Sequence, residues 1–252
     1  RLFAYGFLSV VLVLYLAAAG LSQARIALLL TLTLVGDAAI SLWITTSADR
    51  LGRKRMLLVG AALMAFAGVL FATTNSFVPL LVAATIGVIS PSGNEVGPFL
   101  AIEQAALAEE IPAAQRTRIF AWYNLVGSFA TAVGALAGGG LVQLLQGRGL
   151  TPHGSYQAVV VGYALVGVAL LGLFTRLSPA AEAPPSERRS QRPAFFRADL
   201  GLERSRGNVF KLAGLFTVDA FAGGFVVQAY MAYWFHTRFG VDFLTAFPHA
   251  AR

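Results

Sequence analysis

Acidic side chains within apolar stretches are the residues of this chain best suited to chemistry. Asp37 lies near the middle of an apolar stretch of residues 26–48, and Glu95 lies within another, residues 77–107. Burial disfavours the charged form of a carboxyl group, so such a group can take up a proton on one side of a membrane and release it on the other. The residues leave two alternatives open: binding of a cationic substrate, or a structural hydrogen bond to a neighbouring helix.

Further polar residues recur within the same stretches at helical spacing. Thr33, Asp37, Ser41 and Thr45 are four residues apart, which places them along one face of a helix. We expect them to border a polar cavity, because polar groups in apolar helices face the interior of a bundle. The predicted pathway for protons or substrate comprises Asp37, Ser41, Asn94, Glu95, Glu103, Asn124 and Asp219.

Residues 90–98, with the sequence SPSGNEVGP, interrupt the fourth apolar stretch. Pro91 and Pro98 each lack a backbone donor, and two glycines between them weaken the helix further. Broken helices in the middle of a membrane often mark substrate or ion sites, so this pattern predicts a break that carries Glu95. The alternative is a simple proline kink.

The helices that would position these residues are predicted from the apolar stretches themselves. The chain is 57% hydrophobic and 12% charged, against about 25% charged residues in soluble domains. Stretches of about 20 apolar residues cross a bilayer as helices. The predicted spans are approximately 2–20, 26–48, 56–74, 77–107, 117–146, 156–175 and 209–235. The sequence therefore predicts an all-α membrane protein, with the lipid bilayer as its main partner.

Basic residues concentrate in alternate gaps between the spans, and this orients the chain. The gap after span two contains residues 50–55, and the gap after span four contains Arg116 and Arg118. The intervening gaps carry Arg25, no basic residue, and Arg148. Because positive residues mark the cytoplasmic side, we predict a cytoplasmic N-terminus in a plasma (inner) membrane.

Residues 176–208 differ from the rest of the chain, being rich in Pro, Ser, Arg and Glu. They are too poor in apolar residues to fold alone, so we predict a cytoplasmic basic linker. It would separate a six-helix bundle of residues 1–175 from residues 209–252, the start of a second bundle. The abrupt ending and the absence of an initial Met lead us to expect a fragment of a longer protein, monomeric when full length.

Several classes of function are disfavoured by residues that the sequence lacks. There is no cysteine, and the three histidines, His153, His236 and His249, are scattered. A metal site or an enzyme active site is therefore not predicted, nor is a cofactor, and no phosphate-binding glycine loop appears. The net charge of +7 comes largely from the gaps between spans, so we expect no binding of nucleic acid.

The gap after span two carries the most specific motif. Residues 49–55 read Asp-Arg-Leu-Gly-Arg-Lys-Arg. This resembles the signature G-x-x-x-D-R-x-G-R-[RK]-[RK] of the major facilitator superfamily, with Thr45 in place of the first glycine. The resemblance assigns a cytoplasmic gate to Asp49, Arg50, Gly52, Arg53, Lys54 and Arg55. A weaker match to the family's motif in helix five covers Gly134, Gly138 and Gly139, which we predict to be helix-packing glycines.

The resemblance implies two six-helix bundles that give alternating access to a central site. It also implies a secondary active transporter of a small-molecule substrate, in which the acidic residues would carry protons. A non-transporting membrane sensor or scaffold with the same fold remains the alternative. Midplane ionisable groups favour transport, because a protein that does not transport could lose them without penalty.

Overall fold

The computed structural model describes residues 1–87, 89, 99–177, 206–224 and 228–240. Within these ranges all regular secondary structure is helical. The elements are α1 (Leu2–Ser9), α2 (Leu12–Ala18), α3 (Gln23–Leu51), α4 (Arg53–Thr73), α5 (Phe77–Ile86), α6 (Phe99–Glu110), a 3₁₀ turn (Ala113–Gln115), α7 (Arg116–Gly147), α8 (Pro152–Thr175), α9 (Arg206–Gly224) and α10 (Gln228–Phe239).

Four of the described helices, α3, α4, α7 and α8, are long and apolar enough to cross a membrane. The 21 residues of α4 rise about 32 Å, close to the thickness of a hydrocarbon core. Side chains start two of these helices: Ser22 accepts a bond from the Arg25 amide, and Thr151 accepts one from the Gly154 amide. Such N-caps satisfy amides that have no partner within the helix.

Predicted spans one and four each fall on two shorter helices. The first span is divided between α1 and α2 by a turn at Val10 and Val11. The fourth begins as α5, which ends at a C-cap on Gly87, and resumes as α6 at Phe99. The predicted break at residues 90–98, with Asn94 and Glu95, lies outside the described residues.

The predicted linker and second bundle are described only in part. Residues 178–205, 225–227 and 241–252 lie outside the described ranges, so the predicted boundaries near residues 176 and 208 remain predictions. Helix α9 begins at Arg206, three residues before the predicted seventh span. Its described side chains, including Asp219, are exposed.

Small residues allow the helices to approach each other closely. A Cβ atom added to Gly134 of α7 would overlap the carbonyl oxygen of Phe3 on α1. Between α4 and α8, a Cβ on Gly68 would lie 2.7 Å from Cβ of Ala164. Lipid chains are as apolar as the surfaces of these helices, so burial of apolar surface does not favour association in a membrane. Close packing of this kind drives it instead.

The two ends of the helix assembly differ in their contacts and charge. At one end the start of α1, the start of α4 and the end of α8 come together through Phe99, which lies against Gly60, Phe174 and the Arg1 guanidinium. We name this the basic end, because it also carries Arg53, Lys54, Arg55 and Arg176. At the other end Tyr15 donates to the Phe71 carbonyl and Gln157 donates to the Ala72 carbonyl at 2.6 Å.

Candidate functional site

Asp37 is the buried acidic residue of the long helix α3. Its exposed fraction is 1%, and neither carboxylate oxygen has a hydrogen-bond partner among the described residues. An unpaired buried charge is expensive, so a group in this setting favours gaining a proton or a cation. Of the predicted pathway residues described, Asp37 is the one placed in the interior with its oxygens unbonded.

The neighbours of Asp37 on α3 explain how its position is held. Thr33, one turn earlier, is fully buried, but its hydroxyl donates to the Leu29 carbonyl at 2.8 Å within the same helix. Gly36 packs against Thr85, because an added Cβ atom would overlap the Thr85 carbonyl oxygen. Thr85 belongs to the last turn of α5. Asp37 therefore lies beside the end of α5, where predicted span four is interrupted.

Two buried tyrosines on other helices lie close to each other. Tyr5 of α1 and Tyr163 of α8 are buried, with ring centroids 6.5 Å apart. Sequence analysis did not assign either tyrosine to the pathway. The available signal was a polar side chain within an apolar stretch, the same kind of signal that identified Asp37.

Glu103 is held quite differently, in an ion pair at the basic end. Its Oε2 atom accepts bonds from Arg1 Nη1 and from the Tyr123 hydroxyl, the latter at 2.6 Å. Arg1 Nη2 also donates to the Tyr123 oxygen at 2.5 Å, and the guanidinium lies 5.7 Å from the centroid of the Phe99 ring. This cluster joins α1, α6 and α7. Sequence analysis predicted Glu103 but missed both partners, because they are 102 and 20 residues away.

A cavity of about 540 Å³ lies next to this cluster. Arg1 and Tyr123 provide its polar atoms, and the other lining residues are apolar or glycine, with Trp122 and Phe3 among them. The charge of Arg1 is compensated by Glu103, so the cavity presents a largely neutral, apolar surface.

The signature turn between α3 and α4 has the geometry that its glycine requires. Gly52 has φ 104°, in the region that other residues rarely adopt. Lys54 Nζ donates to the carbonyl oxygens of Thr175 and Leu177 at the end of α8. Arg53 is buried, and Arg55 is exposed. The side chains of Asp49 and Arg50 lie outside the part of the chain that the structure describes.

The remaining predicted residues are placed as follows. Ser41 is half-buried on α3, whereas Asn124 is exposed on α7. Gly134, Gly138 and Gly139 are buried on α7, and the first two lie against the backbone of α1 at Phe3 and Phe7. Within the described part of the chain, no group of three His, Cys, Asp or Glu residues is arranged to hold a metal ion.

The chain is similar in sequence to known membrane proteins. The profile described as Major Facilitator Superfamily matches residues 1–251. The "Uncharacterized membrane protein YJR124C" of Saccharomyces cerevisiae is 35% identical over 263 residues, which cover 95% of this chain and 59% of the yeast protein. The "Na(+), Li(+), K(+)/H(+) antiporter" of Planococcus maritimus is 32% identical over 113 residues, 44% of this chain and 26% of the antiporter.

Proposed function

The chain belongs to the Major Facilitator Superfamily, and from this we propose that it forms the first part of a secondary active transporter that moves a small solute by alternating access. Proteins of this family are membrane transporters rather than enzymes. The chain is an integral membrane protein, and it spans 59% of the length of its yeast relative. In this proposal the remaining length of the transporter supplies a second bundle.

The proposal of proton coupling rests on one observation, the unbonded carboxyl group of Asp37. This group is buried inside the helix assembly, and no charged partner among the described residues bonds to it. A protonated carboxyl group is stable there, whereas a carboxylate needs a cation or water. Binding and release of a proton at Asp37 would therefore be linked to the opening of the site on one side or the other.

Glu103 is less suited to carry the proton. Its carboxylate already receives two hydrogen bonds, one of them in an ion pair with the Arg1 guanidinium group. We propose instead that Glu103 holds α1, α6 and α7 together at the basic end. Glu95, Asn94 and Asp219 remain proposed pathway residues from the sequence alone.

Alternating access needs contacts that form on one side of the membrane and break again. The turn at Gly52 is suited to this role, because Lys54 connects it to the end of α8. We propose that this turn, with Asp49, Arg50, Arg53 and Arg55, closes the cytoplasmic side. In this proposal the basic end lies on the cytoplasmic side of the plasma membrane, which agrees with the positive-inside rule.

A second candidate function is the exchange of a monovalent cation for protons. It is favoured by the 113-residue match to a protein whose name gives Na⁺, Li⁺ and K⁺ as ions exchanged for H⁺. A carboxylate with hydroxyl groups nearby offers the oxygen atoms that hard cations prefer. The non-transporting sensor or scaffold is less favoured, because such a protein has no need of a buried carboxyl group.

The proposal can be tested with the full-length polypeptide reconstituted in liposomes. Tryptophan fluorescence would be recorded against pH for the unmodified protein, Asp37→Asn and Glu103→Gln, and proton flux would be followed with an entrapped pH dye. We expect a pH titration and a proton leak that Asp37→Asn abolishes and Glu103→Gln retains. An unchanged titration and flux in Asp37→Asn would refute proton coupling at this residue.

Adding NaCl, LiCl or KCl to the same liposomes separates the two candidates. Cation-dependent alkalinisation of an acidic interior that is lost in Asp37→Asn would support monovalent cation exchange. No response to the three salts, with the titration retained, would favour a proton-coupled organic solute.

A further inference from the structure

Exposed side chains along α4 form a stripe that begins with an arginine. Its members recur at helical spacing: Arg55, Ala62, Phe66 and Val69. Residues at such intervals lie on one face of a helix. Helix α4 therefore presents a cation at the basic end and an apolar surface along the rest of this face.

A matching stripe runs along α8 and ends with an arginine. Its members are exposed and lie three or four residues apart: Val161, Leu165, Val168, Gly172 and Arg176. The two helices are antiparallel, because Lys54 in the first turn of α4 bonds to the Thr175 carbonyl at the end of α8. Arg176 consequently lies at the same end of the helix assembly as Arg55.

The two stripes face the same side of the α4–α8 pair. The helices touch where Gly68 meets Ala164 and where Gly167 meets Ala65. At about 100° per residue, each stripe lies roughly 110° around its helix from these contacts, in the same rotational sense viewed from each N-terminus. In antiparallel helices, equal rotations of the same sense point to the same side. The stripes thus form one surface, which we name the α4–α8 face.

The two arginines of this face have charges that the rest of the helix pair does not neutralise. Neither α4 nor α8 contains an acidic residue. The guanidinium groups of Arg55 and Arg176 form no ion pair or hydrogen bond within the part of the chain that the structure describes. Lys54 already bonds to the carbonyl oxygens of Thr175 and Leu177, which flank Arg176. Both arginines are therefore next to one contact between the helices and are available to one anionic partner.

We propose that the α4–α8 face binds an anionic phospholipid, with its phosphate headgroup at Arg55 and Arg176 and its acyl chains along the apolar parts of the stripes. The planar guanidinium group matches the oxygen atoms of a phosphate, and basic sites between membrane helices attract anionic headgroups. The proposed topology places this end in the cytoplasmic leaflet. The site is independent of proton coupling, because it requires only that α4 and α8 cross the membrane.

Fluorescence quenching by brominated lipids tests the site in the full-length protein reconstituted in vesicles. Its tryptophans would be replaced by phenylalanine, and Val168→Trp would add one reporter on the α4–α8 face, about 12 Å along the helix axis from Arg176. Brominated phosphatidylglycerol and brominated phosphatidylcholine are compared, which gives the ratio of their binding constants at the reporter. Val161→Trp is the control position, because it lies about 22 Å from Arg176, past the middle of a hydrocarbon core about 30 Å thick.

We expect phosphatidylglycerol to be preferred at Val168→Trp and not at Val161→Trp. The preference should fall about fivefold in Arg55→Gln and in Arg176→Gln, the change expected for one cation beside an anionic headgroup. Arg118→Gln is the matched control variant, since Arg118 is also exposed at the basic end but lies on α7. This variant should keep the preference. Ala62→Trp, on the α4 part of the face, gives a second reporter should Val168→Trp fail to fold.

Three results would overturn the proposal. Equal lipid preference in Arg55→Gln, Arg176→Gln and Arg118→Gln would show that the two arginines do not bind the headgroup. A reporter that neither brominated lipid quenches would show that protein, rather than lipid, covers the face. Displacement of phosphatidylglycerol by glycerol 1-phosphate, which has the phosphate but no acyl chains, would identify a site for a free phosphate ester instead.

Discussion

Lys54 Nζ lies 2.6 Å from the carbonyl oxygen of Thr175 and 2.9 Å from that of Leu177. Carbonyl groups at the end of a helix lack partners within it and carry the negative end of its dipole. The ammonium group of Lys54, which belongs to α4, therefore caps the C-terminal end of α8. It also connects the signature turn to Thr175, the last residue before the predicted basic linker.

Replacement of Lys54 by methionine should loosen this end of α8. The loss of two charge-assisted hydrogen bonds at a partly exposed site is expected to lower the free energy of unfolding by about 1 kcal/mol. Thermal unfolding of the full-length protein in detergent, together with the rate of proteolysis after residue 177, measures the effect. Arg55→Met removes an equal charge from an exposed side chain and serves as the control. Equal behaviour of the two variants would contradict a capping role for Lys54.

Gly52→Ala should strain the turn between α3 and α4. The glycine has φ 104°, and holding a residue with a side chain in such a conformation costs about 1–3 kcal/mol. We expect a lower midpoint of thermal unfolding than in Gly172→Ala, the comparison variant, because Gly172 on α8 has open space around it. A Gly52→Ala protein as stable as Gly172→Ala would show that the turn tolerates another conformation.

Gly134→Ala should force α1 and α7 apart. Its new methyl group would overlap the Phe3 carbonyl oxygen, and overpacking of this kind costs about 1–3 kcal/mol. Gly140→Ala on the same helix adds a methyl group where nothing lies within 4 Å, and there we expect no loss of stability. Thermal unfolding distinguishes the two, and equal midpoints would rule out a packing role for Gly134.

Arg1 and Glu103 should behave as a coupled pair. Arg1→Met or Glu103→Gln alone leaves one polar group with an incomplete set of partners. We expect either substitution to lower the free energy of unfolding by about 2 kcal/mol. The double variant should lose less stability than the sum of the losses of the two single variants. Each single substitution already breaks the bond between Arg1 and Glu103, so the second substitution cannot break it again. A double-mutant cycle followed by thermal unfolding measures this coupling energy, and additive effects would show that the pair contributes little.

Local composition was enough to establish the class of this protein. Continuous apolar stretches, alternate basic gaps and the Asp49–Arg55 motif predicted an α-helical membrane protein resembling the major facilitator superfamily, and the family match over residues 1–251 confirms that resemblance. The same reading singled out Asp37, since an acidic residue within an apolar stretch is visible without any knowledge of its neighbours. The motif also placed a glycine at position 52, where the structure has a positive φ angle.

The partners of those residues were decided only by the tertiary structure. Arg1 meets Glu103 across 102 residues, and Tyr5 and Tyr163 meet from helices at the two ends of the first 175 residues. A helix that is apolar all round has little asymmetry between the face toward lipid and the face toward protein. Its rotation is set instead by where glycines such as Gly6, Gly36 and Gly162 permit close approach, and that depends on the surface of the neighbouring helix as well as on its own sequence.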